Sequence, residues 1–229
     1  MKVVAVMGSP HGMEGATGQL LDGMIGGCTE AGAEVRTFLL KNMDVQPCLA
    51  CDTCHKTGEC SIDDDFGQIK YAFLEADAVV VASPNYIRSV SAQTKAMMDR
   101  CCGFIHLQAL DDTYGAAVVT SGSEESEVVE EYIQTYLRAV GCWTVGGVGA
   151  AAWQMGQEDP REEALSRAEA LGKKLVECAR QRATFPEQKP GRNEFRERMK
   201  KLVLANAEEW EYERRYWRAE ESDGPSAGA

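Results

Sequence analysis

Short apolar runs rich in β-branched residues recur along the chain at Lys2–Met7, Glu34–Leu40, Ala78–Ala82, Gly115–Thr120 and Cys142–Ala150, each closed by a polar or glycine-rich turn. Runs of that length, apolar on both sides, read as strands buried on both faces of a sheet. The segments between and after them, Thr17–Ala31, Phe66–Glu75, Ala92–Cys102, Glu124–Val140 and Pro160–Arg182, space their apolar residues at the helical period. The alternation predicts five βα units, hence an α/β fold with a doubly wound five-stranded parallel sheet and helices on both faces. Right-handed crossovers and ligand binding beyond the carboxyl ends of the strands follow from that architecture.

Gln46–Asp65 breaks the rhythm after the second strand with a long stretch of little periodicity that holds Cys48, Cys51, Cys54 and Cys60. Loops of this length are functional or lack order of their own, and a metal core supplies the order a hydrophobic core cannot. The C-x2-C-x2-C-x5-C spacing suits one iron-sulfur cluster: two-residue gaps turn three sulfurs inward and a longer arm brings the fourth. Zinc stays open, although its four-cysteine sites are usually two pairs divided by a long spacer.

Beyond Arg182, ATFPEQKPG reads as a linker over 184–192, followed by one charged helix over 193–219 and a disordered tail over 220–229; residues 1–183 form the main domain. Phe195, Met199, Leu202, Val203, Trp210 and Trp217 make a broken apolar stripe on that helix, which therefore packs on its own domain or a second subunit.

The 229 residues suffice for a normal core, so the nine cysteines are not needed as staples. MKVVAVMGSP is too short an apolar run for a secretory signal and no segment is long enough to span a bilayer, so the expected setting is cytoplasmic, with reduced thiols and no membrane partner. A net charge of −12 argues against nucleic acid.

Three loops fall on the carboxyl edge of the expected sheet. The first, Gly8-Ser9-Pro10-His11 running on through Gly12, Gly15, Ala16 and Thr17, offers backbone N–H groups at a helix start to a phosphate, with Ser9 and Thr17 as hydroxyl donors. It lacks both the G-x-x-x-x-G-K-[ST] and the G-x-G-x-x-G pattern. Thr17 as a helix cap and Ser9 as a turn former are the ordinary alternatives. The second, Ser83-Pro84-Asn85-Tyr86-Ile87-Arg88-Ser89-Val90-Ser91, offers Tyr86 for a flat ring, and the third, Thr120-Ser121-Gly122-Ser123, is small and polar.

GSPHGMEGATG, SPNYIRSVSAQTKAMMDR and the compact four-cysteine loop between them resemble the iron-sulfur flavoproteins of the NADPH-dependent FMN reductase and flavodoxin-like superfamily, over residues 1 to 180. The resemblance implies strand order 2-1-3-4-5, a cluster loop after strand two and a C-terminal helical extension. It implies FMN held by Ser9, His11 and Thr17 at the phosphate and by Pro84, Asn85, Tyr86, Ile87, Ser121 and Gly122 around the isoalloxazine, with a [4Fe-4S] cluster on Cys48, Cys51, Cys54 and Cys60. Family members often carry arginine where His11 stands and asparagine where Ala16 stands, so the phosphate grip here carries less charge. Lys95 and the Asp99-Arg100 pair match family positions and are expected to fix their loop.

The implied function is an FMN-dependent oxidoreductase passing electrons between NAD(P)H or a ferredoxin-like donor and a small-molecule or protein acceptor, as a homo-oligomer. Two alternatives stay open: a dehydrogenase acting on a small cyclic substrate such as an aminodeoxychorismate-type ring, and a zinc-stabilised module without catalysis. His55 is expected to face solvent; Cys28, Cys101, Cys102, Cys142 and Cys178, with Trp143 and Trp153, are expected in the core.

Overall fold

The computed structural model describes residues 1–122 and 125–223. Strands β1 (Lys2–Met7), β2 (Glu34–Leu39), β3 (Ala78–Pro84), β4 (Tyr114–Ser121) and β5 (Trp143–Ala151) form one parallel sheet in the order β2-β1-β3-β4-β5. The chain winds outward from β1 to β2 and then restarts on the other side at β3, which puts the switch point between β1 and β3. The helices are α1 (Ala16–Glu30), α2 (Thr53–Thr57), α3 (Phe66–Leu74), α4 (Ala92–Asp99), α5 (Cys102–Leu107), α6 (Glu127–Ala139), α7 (Ala152–Met155), α8 (Glu158–Gln181), α9 (Lys189–Ala205) and α10 (Glu211–Asp223).

The two-residue period of the strands divides the core. Val3, Ala5 and Met7 pack with Leu20, Leu21 and Met24 of α1 and Leu175 and Val176 of α8. Val4 and Val6 point the other way, into a cluster with Ile69 and Phe73 of α3, Met97 of α4 and Ile133 and Leu137 of α6. Each such fully buried side chain contributes about 1.5–3 kcal/mol of transfer free energy, so the sheet is held rigid under its loops.

Four sequence expectations change here. The helix expected over Ala92–Cys102 is two: α4 ends at Asp99 and α5 begins at Cys102, with the break where the Arg100 guanidinium is drawn to the cysteine loop. The helix expected over 193–219 is also two, because α9 begins at Lys189 and the chain turns over residues 206–210 before α10. Pro190 does not stop α9; it lies in the first turn, where a missing N–H costs nothing. The turn folds the apolar stripe back on the main body, burying Val203 and Trp217 against Leu107 of α5, with Trp210 half-buried beside them. Residues 220–223, expected in the tail, belong to α10, and 224–229 lie outside the described residues. Of the stretch expected as a linker, Gln188 pairs with the β5 edge: Thr144 N donates to its Oε1 at 3.1 Å and its Nε2 donates to Thr144 O at 2.8 Å.

Candidate functional site

The first loop leaves β1 with Gly8 N donating to Ala82 O at 2.9 Å, then doubles back through Gly12, at φ +65°, whose N–H donates to Ser9 O at 3.0 Å. Helix α1 starts from Gly15 with no side-chain cap, so its first N–H groups point out at the positive end of the helix dipole without a side-chain acceptor. Ser9 is buried at this turn, and Thr17 Oγ1 lies 2.6 Å from Thr120 Oγ1 at the end of β4. Thr17 thus joins the first loop to the third, whereas His11 is exposed and makes no side-chain cap.

Asn85 fixes the second loop to the third. Its N–H donates to Thr120 O at 2.7 Å, its Nδ2 to Glu125 O at 3.0 Å, and its Oδ1 accepts from Arg88 N at 2.9 Å. Tyr86 and Ser89 bond each other's backbone in both directions, at 2.9 and 3.2 Å, around Ile87 and Arg88 at φ +55° and +59°. A β-branched residue in that left-handed region costs on the order of 1–3 kcal/mol, a strain characteristic of ligand-binding loops. Pro84 is half-buried, Tyr86 half-exposed, and Ile87 99% exposed. Behind the loop, Ser83 Oγ accepts from Ser91 N at 2.9 Å, Ser91 Oγ caps α4 by accepting from Thr94 N at 3.2 Å, and Gln93 Oε1 is buried with no hydrogen-bond partner. Ser121 is buried and Gly122 exposed at the end of β4; Ser123 lies outside the described residues. Uncapped N–H groups, hydroxyls, a strained loop and an orphaned acceptor on one sheet edge fit a phosphorylated flat-ring cofactor such as FMN.

The cysteine loop departs from the same edge after β2. Its four thiols are free, with Cys48 and Cys51 exposed and Cys54 and Cys60 half-buried. Ala50 at φ +50° and Asp52 at φ +58° turn the chain between successive cysteines, and Gly58 at φ +84° turns it again before Cys60. Ala50 N donates to Cys48 Sγ at 3.4 Å, and Ser61 Oγ lies 3.1 Å from Cys51 Sγ. The contact with Ser61, and next one with Thr53 Oγ1 at 3.4 Å, bring the Cys51 thiol down to about 7, toward the thiolate a metal needs. Repeated left-handed turns that present free thiols, with hydrogen bonds aimed at sulfur, fit an iron-sulfur cluster.

Arg100 anchors this loop from below. Its Nη1 donates to Asp64 Oδ2 at 2.7 Å and to Gln46 O at 2.9 Å, and its Nη2 to Asp64 Oδ1 at 3.0 Å. Asp64 also accepts from Gln46 N at 2.8 Å and Phe66 N at 3.0 Å. Burial works to raise the Asp64 carboxyl, but Arg100 and the two backbone donors outweigh it and hold the group below its usual value. The Lys95 side chain pairs with Asp99 one turn on, at 2.5 Å on an exposed face, and its backbone N–H donates to Ser91 O at 2.9 Å at the end of the second loop.

His55 is a correction: it is 4% exposed, not solvent-facing. Its Nδ1 meets Glu213 Oε1 of α10 at 2.6 Å, while Glu213 Oε2 meets His106 Nδ1 at 3.0 Å. Trp210 packs on both imidazoles. Cys102, expected in the core, is half-buried and lies 3.9 Å from His55 Nε2 and 3.8 Å from His106 Nε2. The two histidines bring its thiol down to about 6. Burial works to lower both imidazoles, and contact with Cys102 and Glu213 more than offsets it, so both are raised, His106 to about 9. The i,i+4 spacing of Cys102 and His106 was the available sequence signal; Glu213 lies too far along the chain to be linked to it. Cys28, Cys101 and Cys142 are buried as expected, Cys178 is half-buried, and Trp153 is 46% exposed at the surface instead of buried, with Trp143 half-buried under Arg192.

A cavity of about 290 Å³ opens between the cysteine loop and α10, lined by Cys54, Cys60, Phe66, Arg100, Phe104 and Tyr212 among others. No helix among the described residues is long and apolar enough to cross a membrane.

A family profile described as NADPH-dependent FMN reductase matches residues 1–155. The chain is 34% identical to an iron-sulfur flavoprotein of Archaeoglobus fulgidus over 182 residues, 78% of this chain and 80% of that one. It is 32% identical to an iron-sulfur flavoprotein of Methanosarcina thermophila over 169 residues, 69% and 86% of the two chains. Among solved structures, the NAD(P)H:quinone oxidoreductase from Methanothermobacter marburgensis superposes with a TM-score of 0.64 at 19% identity, covering 76% of this chain and 96% of that one, which shows the shared fold. A sheet of order 2-1-3-4-5 with cofactor loops on its carboxyl edge and sequence relatives of this kind make the chain a member of the iron-sulfur flavoproteins in the NADPH-dependent FMN reductase family, and an FMN-dependent oxidoreductase.

Proposed function

We propose that the chain passes electrons between NAD(P)H or a ferredoxin-like donor and a small-molecule or protein acceptor, using FMN and one [4Fe-4S] cluster. The carrying observation is that the loop with four free thiols leaves the same sheet edge as the three flavin loops. When bound, FMN takes two electrons as a hydride and a cluster carries one at a time, so the pair converts between the two kinds of transfer. Cys48, Cys51, Cys54 and Cys60 are the proposed cluster ligands. Ser9, Thr17 and the uncapped start of α1 are the proposed phosphate donors, with His11 at the rim. Pro84, Asn85, Tyr86 and Ile87 line one side of the ring site, and Ser121 and Gly122 the other. Arg100 and Asp64 hold the cluster loop in register with that edge.

Leu49 in the cysteine loop and Ile87 in the flavin loop are 70% and 99% exposed, apolar side chains on two loops that leave the same edge of the sheet. Their exposure supports a homo-oligomer in which a second copy covers the site.

Anaerobic titration of the isolated protein with NADH, NADPH and reduced ferredoxin tests the reading. Flavin and cluster absorbance should both bleach, with about four irons per chain for a cubane. A colourless protein with zinc in the four-cysteine loop sinks the cluster assignment, and turnover of a ring substrate without any response to NAD(P)H moves the function to a dehydrogenase.

A further inference from the structure

Away from the flavin loops and the four cysteines, one other set of metal-ligating side chains is gathered among the described residues. His55 of α2 and Cys102 and His106 of α5 bring their ligand atoms within 4.8 Å of one another. The Cys102 sulfur stands 3.9 Å from His55 Nε2 and 3.8 Å from His106 Nε2. For metal–sulfur and metal–nitrogen bonds of about 2.3 and 2.0 Å in a tetrahedral site, sulfur and nitrogen stand about 3.5 Å apart. The sulfur–nitrogen gaps close with shifts of a few tenths of an ångström, while the two imidazoles, stacked at 4.6 Å between centroids and 20° between planes, must tilt for both Nε2 atoms to meet one ion.

Glu213 sets the direction of both imidazoles. Its carboxylate, 1% exposed, takes Nδ1 of His55 on one oxygen and Nδ1 of His106 on the other. An ionised carboxylate only accepts, so hydrogen sits on both Nδ1 atoms, and a metal that displaces the second proton from each ring takes the Nε2 lone pair on the Cys102 side. A carboxylate behind a histidine is the usual outer partner of a metal-bound imidazole, and here one carboxylate serves two. A thiolate and a carboxylate buried together carry two negative charges, which the two protonated imidazoles balance in the metal-free protein and one divalent cation balances once it has displaced their Nε2 protons. Trp210 stacks on His106 at 5.0 Å between centroids, packs tilted against His55 at 4.6 Å, and shields the group.

We infer that His55, Cys102 and His106 form a second metal site, with ligands distinct from the four loop cysteines although His55 follows Cys54, that binds one divalent transition metal of the zinc class and leaves one coordination position open. Cys54 is not the fourth ligand: its sulfur is nearly equidistant from the two ring nitrogens of His55, at 3.9 and 4.0 Å, and so lies over the ring face instead of along a lone pair. The site joins α2, α5 and α10, so metal there fastens the C-terminal helix against the cysteine loop. This inference goes beyond the electron-transfer reading and does not depend on it.

The test is zinc analysis and zinc-edge X-ray absorption on the full chain, isolated anaerobically with its flavin and cluster, stripped of loose metal and titrated with Zn²⁺. The expected result is one zinc per chain with one sulfur at about 2.3 Å and nitrogen ligands at about 2.0 Å. Cys102→Ser should remove the sulfur shell, His106→Gln should abolish stoichiometric zinc, and Glu213→Gln should weaken zinc binding by about 10–100-fold, with iron content unchanged in all three. Circular dichroism of the zinc-free variants checks that each is folded, and Glu213→Gln, which leaves all three ligands in place, keeps the test informative if either ligand variant is not. Less than a tenth of a zinc per chain at saturation, a four-sulfur shell, or zinc binding indifferent to both Cys102→Ser and Glu213→Gln overturns the assignment.

Discussion

Arg100 grips Asp64 through two parallel bonds, Nη1 to Oδ2 at 2.7 Å and Nη2 to Oδ1 at 3.0 Å, with both side chains shut off from solvent. Removing one partner of such a pair leaves the other charge buried and unmatched, at a cost of about 3–5 kcal/mol. Asp64→Asn should therefore lower thermal stability by that order and loosen the cysteine loop. The sign of the pH dependence follows from the carboxyl, which is held below its unfolded value by Arg100 and the Gln46 and Phe66 amides against the opposing effect of burial. Its stabilisation is fully present above the unfolded value of about 3.9 and is lost as pH falls through the folded one. Unfolding free energy measured against pH should fall across that acid range in the wild type, and the Asp64→Asn curve should be flatter there. Curves that run parallel would show that the pair contributes nothing to acid sensitivity.

Gly58 sits at φ +84° at the C-terminal end of α2, and a Cβ built on it comes within 2.6 Å of the Tyr212 ring of α10. Gly58→Ala should cost on the order of 1–2 kcal/mol for the left-handed backbone, plus the displacement of Tyr212. Tyr212→Ala in the same chain should recover the second part and not the first. A double-mutant cycle by denaturant unfolding checks this, and a coupling energy near zero would mean that the cysteine loop and α10 move independently.

The sheet was legible because its inner strands report two buried faces through unbroken apolar runs, as in Ala78–Ala82, its edge strand β2 through an alternation of charged and apolar residues, and the helices through their period. The cysteine spacing was legible because all four thiols are local in sequence. What escaped depends on long-range pairing. Arg100 and Asp64 are 36 residues apart and His55 and Glu213 are 158 apart, so a charged residue in a polar segment gives no sign that it is buried until its partner is placed. Trp210 and Trp217 gave a correct sign that the C-terminal segment packs. The turn at 206–210 carries no proline or glycine, so one helix and two were indistinguishable in the pattern.

Gly8 lies where β1 hands the chain to the first loop, and a Cβ there would overlap Thr94 Oγ1 and come within 2.6 Å of Ser91 Oγ, the cap of α4. Gly8→Ala should push the first and second loops apart. Overpacking of this kind costs about 1–3 kcal/mol, and because both loops lie on the proposed flavin site, FMN affinity should fall at least as far as stability. Flavin content after gel filtration and a fluorescence titration of the apoprotein read the effect. Full FMN retention in a folded Gly8→Ala protein would place the flavin elsewhere than between these loops.

Ser61 Oγ at 3.1 Å from Cys51 Sγ is a hydroxyl beside one of the four proposed cluster sulfurs. A hydrogen bond to a ligating sulfur stabilises the reduced, more negative cluster and so raises its potential. Ser61→Ala removes the hydroxyl without adding bulk at a surface position, so the loop should still assemble. The expected outcome is a cluster that forms with the same iron content but reduces at a lower potential, read by anaerobic spectroelectrochemistry at the cluster band, with the flavin potential unmoved. The direction discriminates between sources of the effect. A general opening of the loop to water would also expose the cluster and drive its potential upward, so an upward shift or a loss of iron in Ser61→Ala would assign Ser61 to holding the loop closed, not to tuning the sulfur of Cys51.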